Sequence, residues 1–474
     1  MRELILMLAF AVTVFAYDCP GSGQLPSTCS CEETDHGIVA ICNNASIAKV
    51  LSALEDKIVD ILKIHKCNDS STSMETAPVV YIRNLTITEC DFRQVYIKNF
   101  EHLGTRLRLL NLENNTFHAL PYFGQLHLLN KLEIGFNDLS TMTSDTFASM
   151  KRLKTLRMNN ANLLLFPTAA LNPLRNSLES LDLSRNLFKD VSVFTLSSFR
   201  LKFLDVSYNL LTSIKVPSFW EMSSLHELRL QGNQLTELVT IHNMANLTYL
   251  DLSNNNINKI SDGFFEGIQS VQTVDLSSNA IVEIPILSAL SNLTTLNLDQ
   301  NHIESLGERT FDSNPKLTAI SCRRNRISHI SANTFTAANN SIKVLFLNNN
   351  TIHTVEKGAF GMLQNLTELG LSHNHRIELS NVSHPGLKQV FRLDIGSTNL
   401  KTLKKNDFDG MIKLEWLDVR NNSLERIEDG TFSEQMGTIL ISVASKQHSP
   451  TIARTSPSPT STTIALPPAT EQRP

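Results

Sequence analysis

Fourteen histidines, seven cysteines and a recurring acidic position are the features of this 474-residue chain whose residue types could support chemistry. No HExxH segment sets two imidazoles on one helix face for zinc, and no G-x-S-x-G elbow or Gly-rich phosphate loop occurs. His373 and His375 flank Asn374, one at the end of an expected strand and one in the turn after it, so no metal site is assigned to them. Asp182, Asp205, Asp251, Asp275, Asp394 and Asp418 each lie between two apolar residues. Such a row resembles paired catalytic carboxylates on one face.

Composition narrows the classes further. Forty-two Lys plus Arg against forty-six Asp plus Glu give a net charge of −4, which leaves no basic excess for a dedicated nucleic-acid binder. The chain is 41% hydrophobic with a mean hydropathy of −0.09, values of a packed protein rather than a polytopic membrane protein. Length alone points to about three domains at roughly 150 residues each.

The elements that position these residues come from an internal repeat, and it replaces the three-domain expectation. The pattern L-x-x-L-x-L-x-x-N-x-L, with other aliphatics or Phe allowed for Leu, starts at Val59, Ile82, Leu107, Leu129, Leu153, Leu178, Leu201, Leu225, Leu247, Val271, Leu293, Leu317, Ile342, Leu366, Val390 and Leu414. Alternating apolar residues predict a short strand with one face inward. Eight residues after the start, Asn fills twelve of the sixteen positions, from Asn115 to Asn422; the exceptions are Cys67, Cys90, Ala161 and Thr398. There the chain turns inside the core, and an Asn side chain supplies a donor and an acceptor to backbone that has lost water. Eighteen residues after the start, Phe recurs nine times, at positions such as Phe147, Phe265, Phe311 and Phe408, which predicts an aromatic spine under the face opposite the strands.

These columns resemble the leucine-rich-repeat family, specifically its typical extracellular subclass with repeats near 24 residues. The resemblance implies an α/β solenoid, a horseshoe with short parallel strands on its concave face and irregular or helical turns on its convex face. It implies a surface for gripping macromolecules rather than a pocket for a metabolite. For the row of Asp residues the likeness implies a solvated ladder instead of catalytic carboxylates. The sequence therefore predicts no catalytic residue, no cofactor and no enzyme. The run Cys19, Cys29, Cys31, Cys42 resembles the family's cysteine-rich N-terminal cap, and that likeness implies the pairs Cys19–Cys31 and Cys29–Cys42; four cysteines alone leave three connectivities. Cys67 and Cys90 occupy the Asn column of adjacent repeats, where strand spacing of about 4.8 Å falls within disulfide reach, so a Cys67–Cys90 bond is expected. Cys322 replaces an inward Leu and reads as an inert buried thiol.

The organisation expected is a signal peptide at 1–16, a cap at 17–58, about sixteen repeats over 59–437, a degenerate end cap at 438–448 and a Ser/Thr/Pro-rich disordered stalk at 449–474. Sequons begin at Asn44, Asn68, Asn84, Asn114, Asn246, Asn292, Asn339, Asn349, Asn365, Asn381 and Asn421, which agrees with a secreted glycoprotein. No run of 18 or more apolar residues follows the leader, so membrane insertion is not expected.

Binding residues should be the outward ones. Phe203, Tyr208, Arg229 and Tyr249 form one candidate cluster, and Arg323, Arg324, Lys343 and Phe346 form a second, suited to an acidic partner or glycan. The function expected is a secreted, non-enzymatic binding protein of the extracellular matrix or cell surface, with a protein or glycan ligand and no nucleic acid. Two alternatives stand beside it: the ectodomain of a Toll-like or adhesion receptor lacking its membrane segment, and the non-catalytic subunit of a secreted enzyme. Intact-mass measurement before and after reduction is expected to register three opened bonds; two would remove Cys67–Cys90.

Overall fold

A computed structural model describes residues 17–68, 73–74, 78–91, 96–97, 103, 106–117, 120, 123–190, 199–214, 222–239, 241, 243–375, 377–432, 439–443 and 451–455. The expected leader at 1–16 and the stalk beyond residue 455 lie outside them, as do Phe100 and Phe219 of the aromatic column. The chain forms two compact units, residues 1–234 and 235–474.

The first unit opens with the antiparallel hairpin Cys29–Thr34 and Gly37–Ala45, followed by the helix Ile47–Ala53, whose first turn is capped by the Ser46 side chain accepting from Lys49 N at 3.3 Å. From Gly37–Ala45 onward the pairing is parallel: Ile58–Cys67, Tyr81–Thr88, Leu109–Asn111, Lys131–Glu133, Thr155–Arg157, Ser180–Asp182, Phe203–Asp205 and Glu227–Arg229. The second unit repeats the scheme from Tyr249–Asp251 through Thr273–Asp275, Thr295–Asn297, Ala319–Ser321, Val344–Phe346, Glu368–Gly370, Arg392–Asp394 and Trp416–Asp418 to Ile439–Val443. Each unit is thus a parallel-strand solenoid, with a strand after every repeat start.

The inward residues of the strands, such as Leu156, Leu204, Leu296 and Leu369, are at most 1% exposed and stack into one core per unit. Opposite the strands, short 3-10 turns such as Phe264–Gly267 carry the aromatic column, and Phe311, Phe335 and Phe360 follow one another at 6.0 and 6.2 Å between ring centres.

The turn after each strand has one geometry throughout. Seven residues after every one of the sixteen starts the backbone is left-handed, with φ between +50° and +69°, from Lys66 to Asn421 and including Gly232. None of these residues is β-branched, the class that region tolerates least. The next residue is the column Asn. Asn279 is typical: its Oδ1 accepts Ile257 N of the preceding repeat at 3.0 Å, and its Nδ2 donates to Leu252 O and to its own repeat's Leu276 O, both at 3.0 Å. Asn186, Asn209, Asn233, Asn301, Asn325, Asn350, Asn374 and Asn422 bond in the same way. Where Ala161 interrupts the column, its main-chain carbonyl takes Leu139 N at 3.1 Å instead.

The cysteines pair as Cys19–Cys31, Cys29–Cys42 and Cys67–Cys90, and Cys322 is a buried free thiol whose pKa burial pushes up. The far end departs from the expected boundaries. Thr451–Thr455 pairs antiparallel with Ile439–Val443, so five residues of the segment expected as a disordered stalk form a strand. The last parallel strand otherwise presents an open row of backbone donors and acceptors, and the returning segment bonds to it.

Replacing Asn279 by Ala leaves buried backbone groups without partners and is expected to cost about 3 kcal/mol, read as a lower urea midpoint by circular dichroism. Asn256→Ala, at an exposed position two residues from Asn254, is expected to change the midpoint little.

Candidate functional site

Strand side chains two and four residues after each start point outward, and the left-handed residue seven after the start stands at the rim of the same face. In the first unit Phe203 and Arg229 come from neighbouring strands, and the Arg229 guanidinium lies 5.2 Å from the centre of the Phe203 ring while holding Glu227 at 2.6 Å. Tyr208 is at the rim, 45% exposed, with the Arg185 guanidinium 4.5 Å from its ring centre. The next rim residue is Gly232, where an added Cβ would stand 2.5 Å from the Tyr208 ring; only glycine leaves room for the ring and accepts the positive φ. Tyr249, half-buried, opens the strand Tyr249–Asp251 of the second unit. The first expected cluster therefore divides: three of its members belong to the first unit and Tyr249 to the second.

The second cluster divides differently. The Arg323 guanidinium stacks 3.9 Å from the centre of Phe346 and lies 3.9 Å from Asp299, and exposed Arg324 sits beside them in the left-handed position. These residues line a groove of about 540 Å³ that continues to Arg392. Lys343 does not line it: it precedes Phe346 by three residues and stands one residue after its repeat start, whereas Arg323 stands six after its own, a difference of roughly 16 Å along the strand direction. Sequence reasoning also missed the pair formed by Arg392 over Trp416, 4.3 Å from guanidinium to ring centre. Both stand two residues after their starts, the column that gave Phe203 and Tyr249, so the signal was present.

The acidic column is solvated only in part, since Asp251, Asp275 and Asp394 are half-buried. Asp182, Asp205 and Asp418 are less than a tenth exposed, and every Asp of the row accepts the backbone N–H two residues on: Ser184, Ser207, Ser253, Ser277, Gly396 and Arg420, at 2.8 to 3.2 Å. Asn111 and Asn297 do the same at their steps, so the column needs a short acceptor rather than a charge. Burial first, and neighbouring Asp182 after it, raises the Asp205 pKa against the Ser207 hydrogen bonds. Among the described residues no group of three His, Cys, Asp or Glu is arranged to hold a metal ion.

Two further features bear on the face. Six residues after the start, Asn159 Oδ1, Gln231 Oε1 and Asn348 Oδ1 are buried acceptors without a donor. Of the sequons, Asn339 is 1% exposed, with Oδ1 on Thr336 N and Nδ2 enclosed, so its amide cannot carry a glycan in this fold. Asn44, Asn68, Asn114, Asn246, Asn349, Asn365 and Asn421 are exposed. No helix among the described residues is long and apolar enough to cross a membrane.

Comparison with known proteins finds leucine-rich-repeat family patterns along the chain: the leucine rich repeat at 176–235, 245–303, 291–340 and 315–375, a two-copy form at 223–264, and a BspA-type leucine rich repeat region at 353–450. The leucine-rich repeat-containing protein egg-6 of Caenorhabditis elegans is 26% identical over 129 residues, 27% of this chain and 13% of its own length. Chaoptin of Drosophila melanogaster is 31% identical over 135 residues, 27% of this chain and 10% of its own. The matched stretch is thus about a tenth of the length of these relatives. Among solved structures, Toll in its Drosophila complex with Spatzle has the same fold, with a TM-score of 0.61 and 18% identity over 88% of this chain and 67% of that one.

Because the Asp205 pKa is raised in the fold, stability falls as pH rises from the ordinary carboxylate pKa through the raised one. Asp205→Asn keeps an acceptor for Ser207 N and is expected to melt about 2 °C higher at pH 7, with the gain shrinking as pH falls through that window.

Proposed function

We propose that this chain, which belongs to the leucine-rich-repeat family, is a non-enzymatic protein-binding scaffold that works outside the cell, in the matrix or at a cell surface. One observation carries the reading: the outward face of both units bears Arg stacked on aromatic rings, Arg185 on Tyr208, Arg229 on Phe203, Arg323 on Phe346 and Arg392 on Trp416. Arg, Tyr and Trp are the residues in which interface binding energy concentrates, and stacking holds each in place before a ligand arrives, so less side-chain entropy is lost on association.

The common geometry of the turns supports the same reading. The six Asp residues that suggested chemistry each accept a backbone N–H group, a structural role within the turn. Three disulfides require an oxidising compartment, which agrees with an extracellular protein, and chaoptin and Toll give extracellular precedents for the repeat. The groove beside Arg323 and Arg324 sets three Arg against three carboxylates, Asp299, Glu368 and Asp394, and suits a ligand segment that carries both charges.

The test is affinity capture from native extracellular fluid with the full chain, comparing wild type with Arg229→Ala, Tyr249→Ala, Arg323→Ala and Trp416→Ala. Loss of the same partner from at least one of these variants, with unchanged melting, is the expected outcome. Retention of every partner by all four would place the binding surface elsewhere.

A further inference from the structure

The edge at which the strands begin is separate from the outward face, and its charge differs sharply between the two units. Three repeats of the first unit start with a buried Leu enclosed by two exposed cations: Arg106-Leu107-Arg108, Arg152-Leu153-Lys154 and Arg200-Leu201-Lys202. The repeats between them begin Leu128-Leu129-Asn130 and Ser177-Leu178-Glu179, so the cation pairs recur at every second strand.

Backbone hydrogen bonds fix these positions in one line. Arg108 N donates to Arg83 O, Asn130 N to Arg108 O, Lys154 N to Asn130 O, Glu179 N to Lys154 O and Lys202 N to Glu179 O, all at 2.7 to 2.9 Å. With strands about 4.8 Å apart, the three pairs stand roughly 10 Å from one another. Glu179 lies between the last two, 2.9 Å from Lys154 Nζ and 2.8 Å from Lys202 Nζ, and holds them upright rather than neutralising the row. At the N-terminal end the line opens into a groove of about 570 Å³ to which Arg106 and Arg108 contribute together with Arg83 and His36. Asp35 at that groove and Asp60, paired with Arg83 at 3.2 Å, are the opposing charges.

The same edge of the second unit is built otherwise. Its starts are preceded or followed mainly by Thr, Ser, Asn and Gln, as in Asn246-Leu247-Thr248, Asn292-Leu293-Thr294 and Asn365-Leu366-Thr367, and those three Asn residues are sequons. Single cations flank three starts of the second unit, at Lys316, Lys343 and Lys413, but no start there is enclosed by two, and no sequon falls between Asn114 and Asn246.

We propose that the strand-start edge of the first unit binds a linear sulfated glycosaminoglycan. A periodic row of cations fits a polymer whose anionic groups recur along its length, and attraction to such a polymer comes from release of its condensed counterions. The oxidising compartment required by the disulfides is where sulfated glycans are the linear polyanions, which separates them from nucleic acid. This ligand class is additional to the protein partner of the outward face, and its site shares no residue with the stacked Arg pairs.

The test is retention of the full-length secreted protein on immobilised heparin across a salt gradient. Wild type is expected to be retained. Arg152→Ser with Lys154→Ser, and Arg200→Ser with Lys202→Ser, should each elute at lower salt, the slope of log affinity against log salt falling by about one per cation removed. Removal of all six cations should abolish retention, whereas Lys316→Ser with Lys343→Ser in the second unit, and Arg323→Ala on the outward face, should elute with wild type. Melting curves establish that the variants are folded. Unchanged elution of the six-cation variant overturns the proposal, as does equal loss from the second-unit variant. Equal retention on fully desulfated heparin, or tighter retention on double-stranded DNA of matched charge, overturns the ligand class.

Discussion

Each repeat brings its backbone into the core immediately after a short strand, of three residues from Leu109–Asn111 to Trp416–Asp418, where N–H and C=O groups are out of reach of water and would remain unpaired. The column Asn answers this with one amide shared between two repeats: Oδ1 on an N–H of the repeat before, Nδ2 on a carbonyl of that repeat and on one of its own. The pairing works only if the turn has one shape, and the residue before the column position is left-handed at all sixteen steps, the twelve with Asn and the four with Cys67, Cys90, Ala161 and Thr398 alike. It also forces every repeat to match its neighbour, since an amide displaced by one residue would meet neither partner. The parallel register, the stacked core and the aligned outward columns all follow from it.

With the interior fixed in this way, the outward positions are free to vary, and the variation is where function is written. The four Arg-on-aromatic pairs use the columns two to seven residues after the start, and the cation pairs of the first unit use the residues on either side of the start itself. Two ligand classes can therefore be served by one repeat without competing for a residue.

Much of this was legible because the repeat writes each role into a column. The inward Leu positions, the Asn positions and the Cys67–Cys90 rung all come from counting along the chain, and the residue types match what burial demands. The left-handed column was not legible, because its only shared property is the absence of β-branching: Lys66, Glu89, Phe136, Arg185 and His373 have nothing else in common. The role of the Asp column was misread for a related reason. A carboxylate beside a strand end is compatible with solvent or with a backbone N–H, and only the turn, which the sequence does not display, decides between them. Lys343 was grouped with Arg323 by repeat number, whereas position along the strand separates them. The return of Thr451–Thr455 lies in a segment whose composition argues for disorder, and it pairs because an unfilled strand edge was available to it.

The placement of the disulfides gives the molecule a mechanical polarity. All three close before residue 91, and the single later cysteine has no partner within the chain. From Asn115 onward each rung of the column is a hydrogen bond that opens and recloses on its own, and nearest-neighbour coupling lets such rungs open in succession. Tension applied to the two ends of the chain would therefore peel repeats away from the C-terminal side while the cap stayed closed, yielding slack in increments of one repeat of 22 to 25 residues.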